Sequence, residues 1–324
     1  MLTYMTRRIL ISIPTLIVIT MITFFIIRLA PGDPFAKELN AKARDQAELK
    51  QKLRKKYGLD KPLIVQYLKW LTMVLQGDFG TSFKDKRPVL LKILKCLPYT
   101  LELNIIAMIL VFSIAVPIGI YSAVNRYSTG DKIFTVLAYM GISLPIFWLA
   151  LLLMTFFGVY LQILPVSGTC DPVMWDYMNP MEKLLDHLKH LILPVCVAAS
   201  TNIAAISRYV RGKMIEVINQ DYIRTARAKG LREEVVILKH AFRNSLIPLI
   251  TLIGLMLPTL ISSSFIFETI FSWPGMGRLG YEAIIGRDYN LIMGTALFGA
   301  ILTLLGNLLA DISYAFADPR IRLQ

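Results

Sequence analysis

Residues 221–231 read Asp-Tyr-Ile-Arg-Thr-Ala-Arg-Ala-Lys-Gly-Leu and continue as REEVVILKHAFRNSLIP to Pro248. This stretch is polar and basic, yet apolar blocks flank it on both sides, Leu188–Ile206 before it and Leu246–Phe271 after it. Further out lie four more blocks of the same kind, Ile9–Leu29, Tyr99–Val124, Ile133–Leu164 and Leu291–Ala317. A bilayer-spanning helix needs about 20 mostly apolar residues. Backbone polar groups inside lipid must bond within their own segment, which makes such blocks helices. The alternating ten-residue segments of a β-barrel are absent from the sequence. The expectation is an all-α integral membrane protein with six transmembrane helices, which keeps residues 221–248 on one face of the membrane.

Composition agrees. The 324 residues are 55% hydrophobic, with a mean hydropathy of +0.57. The formal net charge is +13, and most of it falls in two connections, Pro31–Lys95 and Ser207–Arg243. With no nucleic-acid motif in the chain, lipid headgroups and protein partners are the expected counterparts of this charge. Cys96, Cys170 and Cys196 have neither metal-site nor redox spacing and read as inert thiols, with a Cys96–Cys170 disulfide left open.

Arg7 and Arg8 precede the first block, and no small-residue cleavage site follows it, so it reads as an uncleaved anchor with the N-terminus inside. Six crossings return the C-terminus to the same side. Arg126, Lys132, the nine Lys and Arg from Arg208 to Arg243, Arg320 and Arg322 then lie inside. The short outer connections 165–187 and 272–290 hold only Lys183, Arg278 and Arg287. The Pro31–Lys95 connection opposes this bias with 15 basic against seven acidic residues, but connections of about this length escape the rule.

Within the outer connection, Lys37–Lys56 reads as a surface helix closed at Tyr57-Gly58. Pro62–Leu75 reads as an amphipathic helix with Ile64, Tyr67, Leu68 and Leu71 on one face. Pro117 and Pro145 are candidate kinks beside a pathway. Glu102, Asn104, Glu268, Asn307 and Asp311 are polar groups inside apolar blocks. His187 and His190 sit three apart, too few for a metal site, and read as solvated or interfacial.

In the central stretch Asp221 is a candidate N-cap. Tyr222, Ile223 and Ala226 share one side of the helix that follows, and Arg224 and Arg227 share its surface. Gly230 stops it. A second helix from Arg232 has Val235, Leu238 and Phe242 as its apolar face, and Asn244-Ser245 ends it. The residues alone allow either a segment lying on anionic lipid or one presented to a protein.

Several further motifs, taken together in their order, carry a resemblance. These are Arg28-Leu29-Ala30-Pro31-Gly32-Asp33-Pro34, Tyr57-Gly58-Leu59-Asp60-Lys61-Pro62 and Gly77-Asp78-Phe79-Gly80-Thr81-Ser82. To them add Thr225-Ala226-Arg227-Ala228-Lys229-Gly230-Leu231, Glu268-Thr269-Ile270-Phe271-Ser272-Trp273-Pro274-Gly275-Met276-Gly277 and Asp318-Pro319-Arg320-Ile321-Arg322. The chain resembles the permease subunits of the peptide/nickel branch of ABC importers, of the oligopeptide and dipeptide permease B type. The general importer loop has glutamate-alanine-alanine, three residues, then glycine. Here only Ala226 and Gly230 match it, and His240-Ala241-Phe242-Arg243-Asn244 is similar to the version of this branch.

The resemblance implies a type I importer permease fold in the plasma or inner membrane of a prokaryote. It implies these divisions: 1–29, a cytoplasmic N-terminus and first span; 30–95, a small helical extracytoplasmic region; 96–317, the permease core with a cytoplasmic coupling loop at 207–245; and 318–324, a cytoplasmic tail. It implies partners: a second homologous permease, two ATPases beneath, an extracellular substrate-binding protein and membrane lipid, but no nucleic acid. The docking residues would be Asp221, Tyr222, Arg224, Thr225, Ala226, Arg227, Ala228, Gly230 and Leu231, so that Gly230→Asp or Ala226→Arg abolishes ATP-dependent uptake while the membrane fold survives. The sequence holds no G-x-x-x-x-G-K-[ST] phosphate loop, so ATP and Mg are expected in partner subunits, with no cofactor or metal on this chain. Peptides are the expected substrate, and nickel or another metal chelate is the alternative. An ion-coupled secondary transporter would need buried couplers, with only Glu102, Glu268 and Asp311 available, and usually inverted repeats. A membrane-anchored enzyme finds no nucleophile–base or metal constellation.

Overall fold

The computed structural model describes residues 2–29, 60–260 and 265–317. The expected helix at Lys37–Lys56, the Ala30–Pro34 and Tyr57–Leu59 motifs and the tail at 318–324 lie outside the described residues. Those residues are helical apart from turns and one isolated bridge, Thr81 to Pro88.

Four helices are long and apolar enough to cross a membrane unbroken. They are α1 (Leu2–Leu29), α3 (Val89–Val124), α6 (Pro180–Ile218) and α12 (Tyr289–Ala317). A fifth apolar unit is bent. α4 (Thr129–Ser143) and α5 (Ile146–Leu153, continued as a π-helical turn to Tyr160) meet at 107°. Pro145 stands at this bend as the N-cap of α5, where its missing N–H costs no hydrogen bond. Pro117, by contrast, lies inside α3, which runs through it.

The block Leu246–Phe271 is helical in pieces: α9 (Arg243–Met256), a 3₁₀ turn over Leu257–Leu260, and α10 (Phe265–Ile270). A helix broken inside lipid frees carbonyls that must be satisfied by protein. Asn104, set in the middle of apolar α3, donates its amide to the Leu260 carbonyl at 2.8 Å. Gly306 of α12 lets the backbone of Pro258 approach so closely that a Cβ there would lie 2.6 Å from the Pro258 Cα.

α3 and α6 form the spine. On α3 the buried residues Leu103, Ala107, Val111, Ala115 and Gly119 recur every fourth position, and they pack with Val197, Ile206, Val210 and Met214 of α6 in one apolar core. Small residues let the two backbones come together in lipid. At Gly119 a Cβ would sit 2.6 Å from Val210 Cβ and 2.8 Å from the Ser207 carbonyl. α6 opens with a capping box, Asn179 accepting from the Glu182 amide and Glu182 from the Asn179 amide at 2.9 Å each. It continues to Ile218, so the first part of 207–245 is membrane helix carried onward.

The end of the bundle that carries residues 76–88 is held by polar contacts. Asp288 accepts from Ser82 Oγ and from the Phe83 amide, and Asn290 donates to the Thr81 carbonyl at 2.9 Å. The Gly77–Ser82 motif is thereby fastened to the turn between α11 (Met276–Gly286) and α12. Glu268 is buried and accepts from the Arg278 amide at 2.9 Å. Trp273 is fully buried and donates its indole N–H to the Tyr99 carbonyl at 3.0 Å. Gly275 lies against the Glu268 carboxyl with no space for a Cβ, so the Glu268–Gly277 motif is a tightly packed turn. The amphipathic α2 (Leu63–Leu75) leans on α1 through Tyr67, which meets Thr20 at 3.0 Å and the Phe24 ring. Its packed face is Leu63, Tyr67, Trp70 and Leu71; Ile64 and Leu68 point away, correcting the face read from the sequence. The cause is that contact with α1 picks out one half of a helix apolar on more than one side.

Candidate functional site

The polar stretch forms a helical hairpin at the end of the α3–α6 spine. α7 (Asp221–Ala228) is two turns long. Its N-cap is Gln220, in an extended conformation without a side-chain cap bond; Asp221 occupies the first helical position instead, where its charge still suits the N-terminal dipole. Lys229 ends the helix and Gly230 follows at φ +74°, its N–H bonded to the Arg227 carbonyl at 2.9 Å. Gly230 is needed for that backbone conformation rather than for space, since nothing lies within 4 Å of a Cβ there.

The hairpin returns through α8, the single turn Glu233–Val235, and a π-helical turn, Val236–Phe242, that runs into α9. The buried residues of this return are Val236 and Ala241, five apart. That spacing is the i→i+5 register of a π-helix. It corrects the sequence reading, which assumed 3.6 residues per turn and put Val235, Leu238 and Phe242 inward. Leu238 is exposed, Val235 lies on the surface, and Phe242 is half-buried.

α7 has two unlike faces. Ile223 and Ala226 are buried in the same core as Met214, Val236 and Ala241. Removing the Ile223 side chain from water contributes about 2 kcal/mol to holding α7 on the bundle. Asp221, Tyr222, Arg224, Thr225, Arg227, Ala228, Gly230 and Leu231 are all exposed. Tyr222 therefore does not join Ile223 and Ala226, and Ala226 is spent on packing within the chain. An arginine at 226 would break that packing before it met any partner, so Ala226→Arg is a poor probe of the outer surface.

The outer face is fixed by its own ion pairs. Arg227 and Glu233 form a bidentate pair across the Gly230 turn, with Nη2 2.6 Å from Oε1 and Nε 3.1 Å from Oε2. The Arg227 guanidinium holds the Glu233 carboxyl below the usual glutamate range, and Glu233 in turn raises Arg227. Arg224 lies 3.6 Å from Asp221 and keeps most of its surface free. Sequence reasoning missed the Arg227–Glu233 pair. Its signal was opposite charges placed on either side of a turn glycine.

Deeper in the chain, Arg211 of α6 makes a bidentate pair with Asp131 of α4, at 2.9 Å and 2.8 Å. Asp131 is buried and also accepts the Tyr127 amide at 2.9 Å. The start of α4 is thus clamped to the end of α6 that leads into α7.

Asp311, Glu102 and the two histidines are paired. Asp311 pairs with Arg8 at 3.1 Å. Glu102 meets His187 Nε2 at 2.8 Å, and His187 Nδ1 lies 2.8 Å from the Thr169 carbonyl. His190 is buried, with Nδ1 2.9 Å from the Asp186 carbonyl, so the two histidines are packed into the protein rather than interfacial. Among the described residues no cluster of metal-ligating side chains occurs, and Cys96, Cys170 and Cys196 are free thiols.

Comparison with known proteins adds an independent line. Residues 115–323 match the family described as binding-protein-dependent transport system inner membrane component, and residues 1–104 match its N-terminal membrane-component family. The oligopeptide transport system permease protein AppB of Bacillus subtilis is 44% identical over 319 residues, covering 98% of each chain. The dipeptide transport system permease protein DppB of Escherichia coli K12 is 39% identical over 340 residues, covering 99% of each. The di/tripeptide transport system permease protein DppB of Pseudomonas aeruginosa is 38% identical over 337 residues, covering the whole of both.

Proposed function

The chain belongs to the binding-protein-dependent transport system inner membrane components, and from that premise we propose that it forms half of the pathway of an ATP-driven peptide importer. In this reading a second homologous permease completes the pathway. An extracellular binding protein delivers oligopeptides or dipeptides, as the names of the relatives suggest. Two ATPase subunits dock on the cytoplasmic side and supply the nucleotide and Mg chemistry. Both termini face the cytoplasm. Residues 1–29 form the anchor, 30–95 the outer region, 96–317 the core, with the coupling segment in 207–245, and 318–324 the tail.

The observation that carries the reading is the division of α7 into a buried Ile223–Ala226 seam and an exposed rim of Asp221, Tyr222, Arg224, Thr225, Arg227, Ala228, Gly230 and Leu231. A partner pushing on the rim moves a helix already locked into the α3–α6 core, so force enters the membrane helices directly. The Asp131–Arg211 clamp extends that connection to α4 and to the Pro145 bend. Pro117 lies inside α3, which continues past it.

The test is uptake of radiolabelled dipeptides and oligopeptides into proteoliposomes holding both permeases, the ATPases and the binding protein. Gly230→Asp, which forces a side chain into a left-handed turn beside Arg227, is expected to abolish ATP-dependent uptake while the chain still assembles. Full uptake by that variant would overturn the docking assignment. Uptake of a nickel chelate but of no peptide would overturn the substrate.

A further inference from the structure

A cavity of about 320 Å³ opens between α3, α5, α6, α9, the 3₁₀ turn and α10. Its place along the helices sets its depth. Asn104 is the sixteenth residue of the 36 in α3, and Asn202 the twenty-third of the 39 in α6. At about 1.5 Å per residue each lies roughly 20–35 Å from either end of its helix, and both fall inside the apolar blocks Tyr99–Val124 and Leu188–Ile206. The lining is mostly apolar, yet it includes Asn104, Thr201 and Asn202. Polar side chains at this depth are costly unless they face protein or water.

Asn104 has a structural task, since its amide satisfies the Leu260 carbonyl, but its side-chain oxygen has no hydrogen bond among the described residues. Thr201 and Asn202 are exposed and have no side-chain hydrogen bond among those residues. Their polarity is therefore unexplained by packing within the chain. Among the described residues no charged side chain lines the cavity, and two methionines, Met108 and Met256, do.

We propose that Asn104, Thr201 and Asn202 form a backbone-recognition station for the translocated peptide, an inference that rests on the peptide-importer reading above. Every peptide bond offers the same N–H donor and C=O acceptor whatever the side chains. A carboxamide supplies both complementary groups, and a hydroxyl does the same. The thioethers adapt to side chains of different shape. A compact ion or charged chelate would gain no counter-charge from these walls. The station thus selects for backbone amide and against net charge at the contact point, while staying indifferent to sequence.

The experiment uses the complete transporter in proteoliposomes with three tripeptides that share a backbone and differ in a neutral, acidic or basic central side chain. Asn202→Leu and Thr201→Val are each expected to lower the uptake kcat/KM about five- to tenfold, as loss of one or two neutral hydrogen bonds would. The loss should be equal for the three peptides. ATPase activity stimulated by the loaded binding protein should stay within about twofold, and Asn202→Ser should recover part of the loss. Thermal melting of the variants at or above the wild-type temperature separates the effect from misfolding. Unchanged uptake by Asn202→Leu, or a loss confined to one central side chain, would overturn the station while leaving the importer reading intact. A wild-type complex that takes up no peptide would overturn both.

Discussion

Gly119→Ala adds one carbon at the closest approach of α3 and α6. The new Cβ would stand 2.6 Å from Val210 Cβ, 2.7 Å from Val210 Cγ1 and 2.8 Å from the Ser207 carbonyl oxygen. Carbon atoms rest about 3.5–4.0 Å apart, so the helices must separate by on the order of 1 Å. A rotamer change at Val210 relieves part of the clash, but the Ser207 contact is backbone and has no such escape. Overpacking of this kind costs about 1–3 kcal/mol. Replacing glycine in a helix returns up to about 1 kcal/mol through propensity. The net loss is about 1–2 kcal/mol, or roughly 1.5–3 °C in Tm for a chain of 324 residues. Gly212, on the same helix as Ser207, supplies the control: nothing lies within 4 Å of its Cβ position and its backbone is ordinary helix, so Gly212→Ala keeps only the propensity gain. Thermal melting of the purified variants in one detergent is the assay. A Gly119→Ala chain that melts at or above wild type, or equal losses from both variants, would refute the packing argument.

Other outcomes follow from the hairpin. Ile223→Ala empties a fully buried site and is expected to cost about 2–5 kcal/mol locally, loosening α7. Uptake per ATP hydrolysed should fall, and a normal ratio would show that α7 need not be seated. The Glu233 carboxyl has a folded pKa held below its unfolded value, so the Arg227 pair contributes stability above the unfolded pKa and loses it as pH falls through the folded one. Both partners are about half exposed, which limits the contribution to under about 1 kcal/mol. Protection from hydrogen exchange over residues 228–236, taken relative to the intrinsic amide rate at each pH, should therefore fall toward acid below the ordinary glutamate range in wild type, with no such step in Glu233→Gln.

The apolar blocks were legible because the bilayer imposes one length and one hydrogen-bonding rule on every crossing. Their breaks were less so. Pro145 marked a real bend, where it stands as the N-cap of α5, while Pro117 lies inside α3, which continues past it. The break at Leu257–Leu260 is set by close contact with Gly306 and by Asn104, both distant in sequence. Asn104 was visible as an oddity, its partner was not. In the hairpin, Gly230 and the exposure of Arg224 and Arg227 could be read directly. The π-helical register moved the buried positions to Val236 and Ala241, and no periodicity argument built on 3.6 residues per turn reaches that result. The polar pair Thr201-Asn202 passed unnoticed in the sequence because a single threonine and asparagine barely alter the hydropathy of Leu188–Ile206.

Docking of the ATPases on the α7 rim is open to direct test. With Cys96, Cys170 and Cys196 replaced, a lone cysteine at exposed Ala228 can be joined to cysteines on the ATPase surface in the assembled transporter. A crosslinked product containing this chain and an ATPase is expected. Joining the two should also block ATP-driven uptake until the link is reduced. A cysteine at Met181, exposed in the first turn of α6 and about 55 Å along that helix from Ile218, should give no such product. Crosslinking from Met181 but not from Ala228, or full uptake with Ala228 linked, would contradict the assignment of α7 as the coupling helix.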